Sequence, residues 1–256
     1  VEIKGKTALI TGSSSGIGKA AACALAAAGV NLILIARREA QLLEIKSEVE
    51  KRSLGVQVDV LPGDVCKDKL YEDLKASGLL EKVDILVANA GLARGKSAIG
   101  EALLSDWSEM MDANCMGTFR LVNECLPSMV ARGGGHVVAT GSIAGMEPYE
   151  GGSVYCASKH ALHAFMKALR YETHAKNVRC TVVAPGLVGE GTEFSAVRFH
   201  GDEGKAAATY LNIDELKATD VAAQILWAVR QPGHVNLDLI QVMPTSQGGA
   251  TRVHRA

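Results

Sequence analysis

The stretch that most limits what this chain can become is Thr7-Ala-Leu-Ile-Thr11, followed at once by Gly12-Ser-Ser-Ser-Gly16-Ile-Gly18 and an alanine-rich run to about Ala28. A short, uninterrupted apolar run reads as a strand buried on both faces, which is the condition of strands in parallel sheets covered by helices. Strand, glycine turn and helix in that order give the turn a use. Its glycines let an anionic group approach the backbone, and the helix behind it offers unpaired N–H groups and a favourable dipole. The spacing G-x-x-x-G-x-G differs from G-x-G-x-x-G, so the mechanism is claimed here and not that fingerprint. An ordinary glycine-rich turn is the competing reading.

Similar runs recur along the chain. Asn31–Ala36, Gln57–Leu61, Asp84–Ala88, His136–Thr140, Val178–Val183 and Leu237–Val242 read as strands, separated by segments of helical pattern. Seven strands alternating with helices imply an α/β fold: one doubly wound Rossmann domain over residues 1–256, with a seven-stranded parallel sheet. Residues 187–213 carry few core signals and several Gly, Phe, Arg and His, so they read as a lid or substrate loop. Leu103 to Val130 reads as one long helix that Pro127 bends or ends, with Asn114 as a polar amide on an apolar stretch.

Composition excludes several classes. The formal net charge is −1 with acids and bases interspersed, which gives neither a nucleic-acid footprint nor a polybasic membrane patch. No apolar run reaches about 18 residues, the length of a membrane-spanning helix, and the N-terminal residues do not read as a signal peptide. The six cysteines are scattered without a Cys-x-x-Cys, which favours a reduced, cytoplasmic protein. Cys156 reads as a small core residue or as an oxidation-sensitive neighbour of Tyr155. His160 and His163 lack acidic or cysteine companions, so no metal site is expected.

Chemistry concentrates between Ser142 and Lys159. Ser142 closes an apolar strand, at the sheet edge where open α/β sheets bind ligands. Tyr155 and Lys159 are four apart in a helical pattern and so share a face. An ammonium beside a phenol draws its pKa down from about 10, which makes the phenol a usable proton donor and acceptor. Ser142 would then bond the substrate oxygen. Taken alone, Tyr-x-x-x-Lys also fits an ordinary amphipathic helix.

The second strand ends in Ala36, where an acid would accept ribose hydroxyls, and Arg37 and Arg38 follow it. Two guanidiniums there suit a 2′-phosphate, and an arginine at a helix N-terminus opposes the dipole, which argues for another purpose. Asp64, at the next strand end, either bonds an adenine amine or caps the following helix. Asn89, in the turn Asn89-Ala90-Gly91, holds the crevice open by bonding neighbouring backbone. Arg198 and Lys205 are the cations of the substrate loop; either one binds a substrate carboxylate or is a solvated loop charge.

In this order and spacing, Thr11-Gly-x-x-x-Gly16-x-Gly18, Asn89-Ala-Gly91, Asn114, Ser142, Tyr155-x-x-x-Lys159 and Pro185-Gly186 resemble the short-chain dehydrogenase/reductase superfamily over nearly the whole chain. The resemblance implies a homo-oligomer, a tetramer ahead of a dimer, that moves hydride between NADP(H) and an alcohol or ketone carbon. It implies Tyr155 as general acid/base, Ser142 as partner of the substrate oxygen, Lys159 as the group that lowers the phenol pKa and bonds the nicotinamide ribose, and Asn114 as holder of a relay water. For the cofactor it implies Gly12, Ser14, Ser15, Gly16, Ile17 and Gly18 on the pyrophosphate side, and Arg37 and Arg38 at the 2′-phosphate. Asp64 and Val65 are implied at the adenine, Asn89, Ala90 and Gly91 on the adenosine side, and Pro185, Gly186 and Val188 near the carboxamide. Ala88 stands where the family often has a second asparagine.

A narrower resemblance lies in Pro185–Lys205 and Val253-His-Arg255, which are similar to the NADP-dependent 3-hydroxy acid dehydrogenases that oxidise serine and allo-threonine. It implies 3-hydroxy acids, or β-keto acids and esters in reverse, as substrates. The segment Gly189-Glu-Gly191, longer by about one residue, and Arg94 depart from that pattern. A broad carbonyl reductase and a non-catalytic nucleotide-binding scaffold are the alternatives; the intact Ser142, Tyr155 and Lys159 weigh against the scaffold.

Overall fold

The computed structural model describes residues 2–53 and 55–255. Seven strands form one sheet in the order β3-β2-β1-β4-β5-β6-β7. They are β1 Thr7–Thr11, β2 Asn31–Ala36, β3 Val58–Pro62, β4 Ile85–Ala88, β5 Gly135–Thr140, β6 Val178–Pro185 and β7 Leu239–Val242. All six neighbouring pairs are parallel. The expected architecture is therefore present, with strand ends displaced by a residue or two.

Successive side chains of a strand face opposite ways, and both faces are buried. Ala8 and Ile10 of β1, with Leu32 and Leu34 of β2, pack under helices α1 (Gly16–Ala27), α2 (Glu39–Arg52) and α9 (Ala218–Val229). Leu9, Ile33 and Ile35 point the other way, under α3 (Asp68–Ala76), α5 (Gly117–Ala131) and α6 (Ser153–Thr173). Continuous burial on both faces is why these strands read as unbroken apolar runs rather than alternating ones. The order reverses at β1, which has β2 on one side and β4 on the other. Beyond the carboxyl ends of these two strands the connections diverge and leave a crevice.

Two stretches depart from expectation. The long helix is three pieces: α4 (Leu104–Met111), a π-helical turn over Asp112–Met116, and α5, which runs on past Pro127 to Ala131. A π turn widens the helix by one residue per turn and re-aims what it carries, here the buried Asn114. Residues 187–213 are not structureless either; they contain α7 (Phe194–Arg198) and α8 (Glu203–Tyr210). Helices this short are held by what they pack on rather than by their own propensity.

Candidate active site

A cavity of about 1400 Å³ opens at the carboxyl edge of the sheet. Its walls are the glycine turn, the ends of β2 to β6 and the segment 187–210. Most of the residues singled out from the sequence line it: Gly12, Ser14, Ser15, Gly16, Ile17, Arg37, Arg38, Asp64, Val65, Asn89, Ala90, Gly91, Ser142, Tyr155, Lys159, Pro185, Gly186 and Val188. Gly18 and Asn114 lie behind the wall and shape it.

The glycine turn is closed by close approach. A Cβ on Gly18 would sit 2.3 Å from Gly12 O and 2.7 Å from the Asn89 amide nitrogen, so no larger residue fits. That amide donates to Thr11 O at 3.0 Å, and Asn89 Oδ1 accepts from the Thr140 hydroxyl at 3.0 Å. One side chain thereby ties together the ends of β1, β4 and β5, which is the brace expected of it. Asp64 caps no helix, since α3 begins at Asp68; its Oδ1 accepts from Cys66 N at 2.9 Å and closes a local turn.

Arg37 projects exposed at the mouth of the cavity and makes no hydrogen bond or ion pair among the described residues. Arg38 is engaged. Its guanidinium donates to Ser14 Oγ at 3.1 Å, to Ser15 Oγ at 2.9 Å and to both oxygens of Glu193 at 2.9 and 2.8 Å. The arginine lowers the Glu193 pKa, and the pair bridges the glycine turn to the segment preceding α7. The Arg38 cation and the Ser15 hydroxyl, which donates to Glu193 Oε2 at 3.1 Å, thus form an anion seat that already holds a carboxylate.

At the other end, Ser142, Tyr155 and Lys159 converge, all buried. Ser142 Oγ accepts from Ala144 N at 3.1 Å, which fixes the hydroxyl at the start of a single 3₁₀ turn. Lys159 donates to Thr140 O at 2.9 Å, and its Nζ lies 5.9 Å from the Tyr155 ring centroid. Burial draws the lysine pKa down to about 8. The phenol is pushed up, chiefly by burial, while a hydrogen bond with Ser142 and the charge of Arg198 pull it down. In this cavity the Lys159 ammonium donates to Thr140 O, and Arg198 brings a second positive charge close to the phenol.

Asn114 is held by both of its amide N–H groups, to Leu92 O at 2.9 Å and Ser158 Oγ at 2.9 Å, while its Oδ1 accepts from Leu92 N at 2.8 Å. The π turn delivers it beneath Gly91. A Cβ there would meet Asn114 Oδ1 at 2.8 Å and Lys159 Nζ at 3.7 Å, so the glycine lets the floor of the site close up.

Several cavity residues escaped the sequence reading. Thr140 was seen only as strand, Glu193 and Thr192 only as loop, and Tyr149 not at all. Tyr149 had a signal, an aromatic hydroxyl between Ser142 and Tyr155 in a glycine-bounded loop; its OH accepts from Arg198 Nη1 at 2.9 Å. The segment 187–213 is pinned to the core through Arg94, which forks onto Glu109 at 2.8 and 3.0 Å and donates to Val197 O at 2.8 Å. Lys205 pairs with Asp202 at 3.0 Å. All six cysteines are free thiols, and burial raises the pKa of each.

The comparisons agree with one another. The NADP-dependent 3-hydroxy acid dehydrogenase YdfG of Escherichia coli strain K12 is 40% identical over 250 residues, covering 96% of this chain and 98% of its own. The NADP-dependent 3-hydroxy acid dehydrogenase of Schizosaccharomyces pombe is 41% identical over 262 residues, covering 99% and 98%. A closed form of serine dehydrogenase complexed with NADP+ is similar in structure, with a TM-score of 0.90 at 38% identity, over 98% of this chain and all of that one. Residues 6–202 match the family model for short chain dehydrogenases. With a glycine turn closed by Asn89 and a Ser142, Tyr155 and Lys159 cluster at the far end of the same cavity, the chain belongs to the short-chain dehydrogenase family.

Proposed function

We propose that this protein is an NADP(H)-dependent oxidoreductase that interconverts a secondary alcohol and a ketone, with 3-hydroxy acids, or β-keto acids and esters in reverse, as its substrates. The observation that carries the proposal is a single cavity with an anion seat at one end and the buried Ser142, Tyr155 and Lys159 at the other. Similarity to NADP-dependent 3-hydroxy acid dehydrogenases supports the substrate class. The cofactor fits the residues present: a glycine turn that a Cβ would fill takes the pyrophosphate, and Arg37, Arg38 and Ser14 take the 2′-phosphate. When bound, the nicotinamide donates or accepts the hydride.

The chain's own residues handle the proton and the geometry. Ser142 orients the carbonyl oxygen against Tyr155, whose phenol gives that oxygen its proton as the carbon is reduced and takes it back in the oxidative direction. Lys159 would hold the nicotinamide ribose and, as a cation close to the ring, favours the phenolate. Asn114 has spent both side-chain N–H groups, so the remaining lone pair of its Oδ1, which already accepts from Leu92 N, is what it has left to hold a relay water. Residues 187–213 close over the cavity and exclude solvent. In this reading residues 1–256 form one domain, and the protein is cytoplasmic and a homo-oligomer, a tetramer ahead of a dimer. Among the described residues no helix is long and apolar enough to cross a membrane.

Tyr155→Phe removes one oxygen from the buried cluster. Turnover is expected to fall by at least about 100-fold with NADPH binding retained. Lost NADPH binding, or unaltered turnover, would contradict the role given to the phenol. Arg37→Ala combined with Arg38→Ala is expected to weaken NADPH far more than NADH in fluorescence titrations; equal losses would remove the phosphate argument.

A further inference from the structure

We infer that Arg198 is the residue that binds the substrate carboxylate and so selects hydroxy and keto acids over neutral ketones. The inference rests on the reading of Ser142 and Tyr155 as the place where the reacting oxygen sits. Besides Lys159, whose ammonium donates to Thr140 O, four cations line the cavity on the side away from the glycine turn: Lys96, Arg198, Lys205 and Arg255. Three of them are poor candidates. Lys205 is neutralised by Asp202 at 3.0 Å and its side chain is 68% exposed. Arg255 is exposed and spends its guanidinium on Leu211 O and Thr209 O. Lys96 is exposed on a loop, where a single ammonium gains little from one ion pair in water.

Arg198 differs in each respect. Its Nε donates to Gly95 O at 3.2 Å and its Nη1 to Tyr149 OH at 2.9 Å, so the guanidinium plane is fixed. Its Nη2 is buried and has no hydrogen-bond partner among the described residues. A buried donor of a charged group left unpaired is costly, and an incoming acceptor that satisfies it is correspondingly favoured. No carboxylate of the described residues pairs with Arg198; the nearby acids Glu109 and Glu193 are taken by Arg94 and Arg38. Nη2 and the second N–H of Nη1 are the donors the guanidinium has left to fork onto a carboxylate once a small side-chain shift opens Nη2 to the cavity.

Position completes the case. The guanidinium carbon lies 5.8 Å from the Tyr155 ring centroid and 5.4 Å from that of Tyr149. A 3-hydroxy acid carries its carboxylate two carbons from the carbinol carbon, with one methylene or substituted carbon between, so an oxygen at Tyr155 and an anion at Arg198 can belong to the same small molecule. Arg198 is also fixed through its backbone, its carbonyl accepting from Gly95 N at 2.8 Å. Recognition of the carboxylate therefore happens where α7 meets the body of the protein.

The test measures equilibrium binding of 3-hydroxybutanoate and of its methyl ester in the presence of NADPH, with which the alcohol cannot react, using the wild-type protein, Arg198→Met, Arg198→Lys and Lys205→Met. Arg198→Met is expected to weaken the acid by about 100-fold while the ester changes less than about threefold. Arg198→Lys keeps the charge without the fork and is expected to fall between. Lys205→Met is expected to change neither ligand. NADPH titration of each variant reports whether the fold is kept, and an Arg198→Met that loses it leaves Arg198→Lys to decide by the same acid-to-ester ratio. Equal weakening of acid and ester, no weakening of the acid, or a loss confined to Lys205→Met overturns the assignment. Turnover on the same ligands separates this from the functional reading: an acid that binds through Arg198 but is never oxidised sinks that reading and leaves the carboxylate site standing.

Discussion

Lys159 is an ammonium held almost out of water, with one hydrogen bond to Thr140 O and a pKa drawn down to about 8 by burial. An unfolded lysine titrates near 10.5, so between pH 8 and pH 10.5 the unfolded chain binds more protons than the folded one, and stability rises with pH across that window. Below pH 8 both states are protonated and the full burial cost, on the order of 3 kcal/mol, is present. Lys159→Met is therefore expected to stabilise the cofactor-free protein near pH 7 and to remove its gain in stability between pH 8 and 10, read from urea unfolding at several pH values. A variant with the slope intact would show that another group supplies it. Ser142, Tyr155 and Lys159 were legible in the sequence because helical spacing and a strand end fix where they go. Tyr149, Thr140 and Glu193 were not, because each reaches the cavity through a loop or a main-chain oxygen that no periodicity announces.

At the scale of elements, the strands and most of the helices followed from apolar runs and their spacing, while the two departures share a cause. A π turn of five residues leaves the apolar pattern of a longer helix almost unchanged, so Leu103 to Val130 reads as one rod until Asn114 has to meet Leu92 and Ser158. Helices α7 and α8 are too short to show a period: α7 is held by Arg94 and Gly95, and α8 by its Asp202 cap and by Tyr210, whose hydroxyl bonds Ser195 and Val188 O. The same rim carries the Arg38–Glu193 bridge, in which a carboxylate occupies the seat proposed for a phosphate. Glu193→Gln is expected to tighten NADPH by about two- to fivefold at low salt, the modest scale of an exposed ion pair, and to leave NADH unchanged. Fluorescence titration with both nucleotides checks it, and a matching change for NADH would mean that Glu193 shapes the cleft in general rather than competing for the arginine.

For the molecule as a whole, the parallel direction and doubly wound form were accessible from the alternation of strands and helices, whereas the strand order and the register between strands were not, because uniformly apolar strands offer no marked residue to align. The homo-oligomer proposed above needs an apolar contact face. Leu103, Leu104, Met111 and Met116 stand 62%, 71%, 38% and 51% exposed between the start of α4 and the π turn, and exposed apolar side chains of this kind mark contact surfaces. Leu104→Glu combined with Met111→Lys is expected to reduce the particle mass measured by light scattering, and an unchanged mass would assign subunit contact to another face.

The burial of the thiols has its own outcome. Cys66 lines the cavity, yet Asp64 beside it and its own desolvation push its pKa up to about 11, and Cys156, next to Tyr155, is buried and shifted the same way. A sulfur that stays protonated is a weak nucleophile toward alkylating agents and peroxide alike. A cleft proposed to pass electron pairs between carbon atoms thus holds the thiols of Cys66 and Cys156 in the protonated, less nucleophilic form at neutral pH.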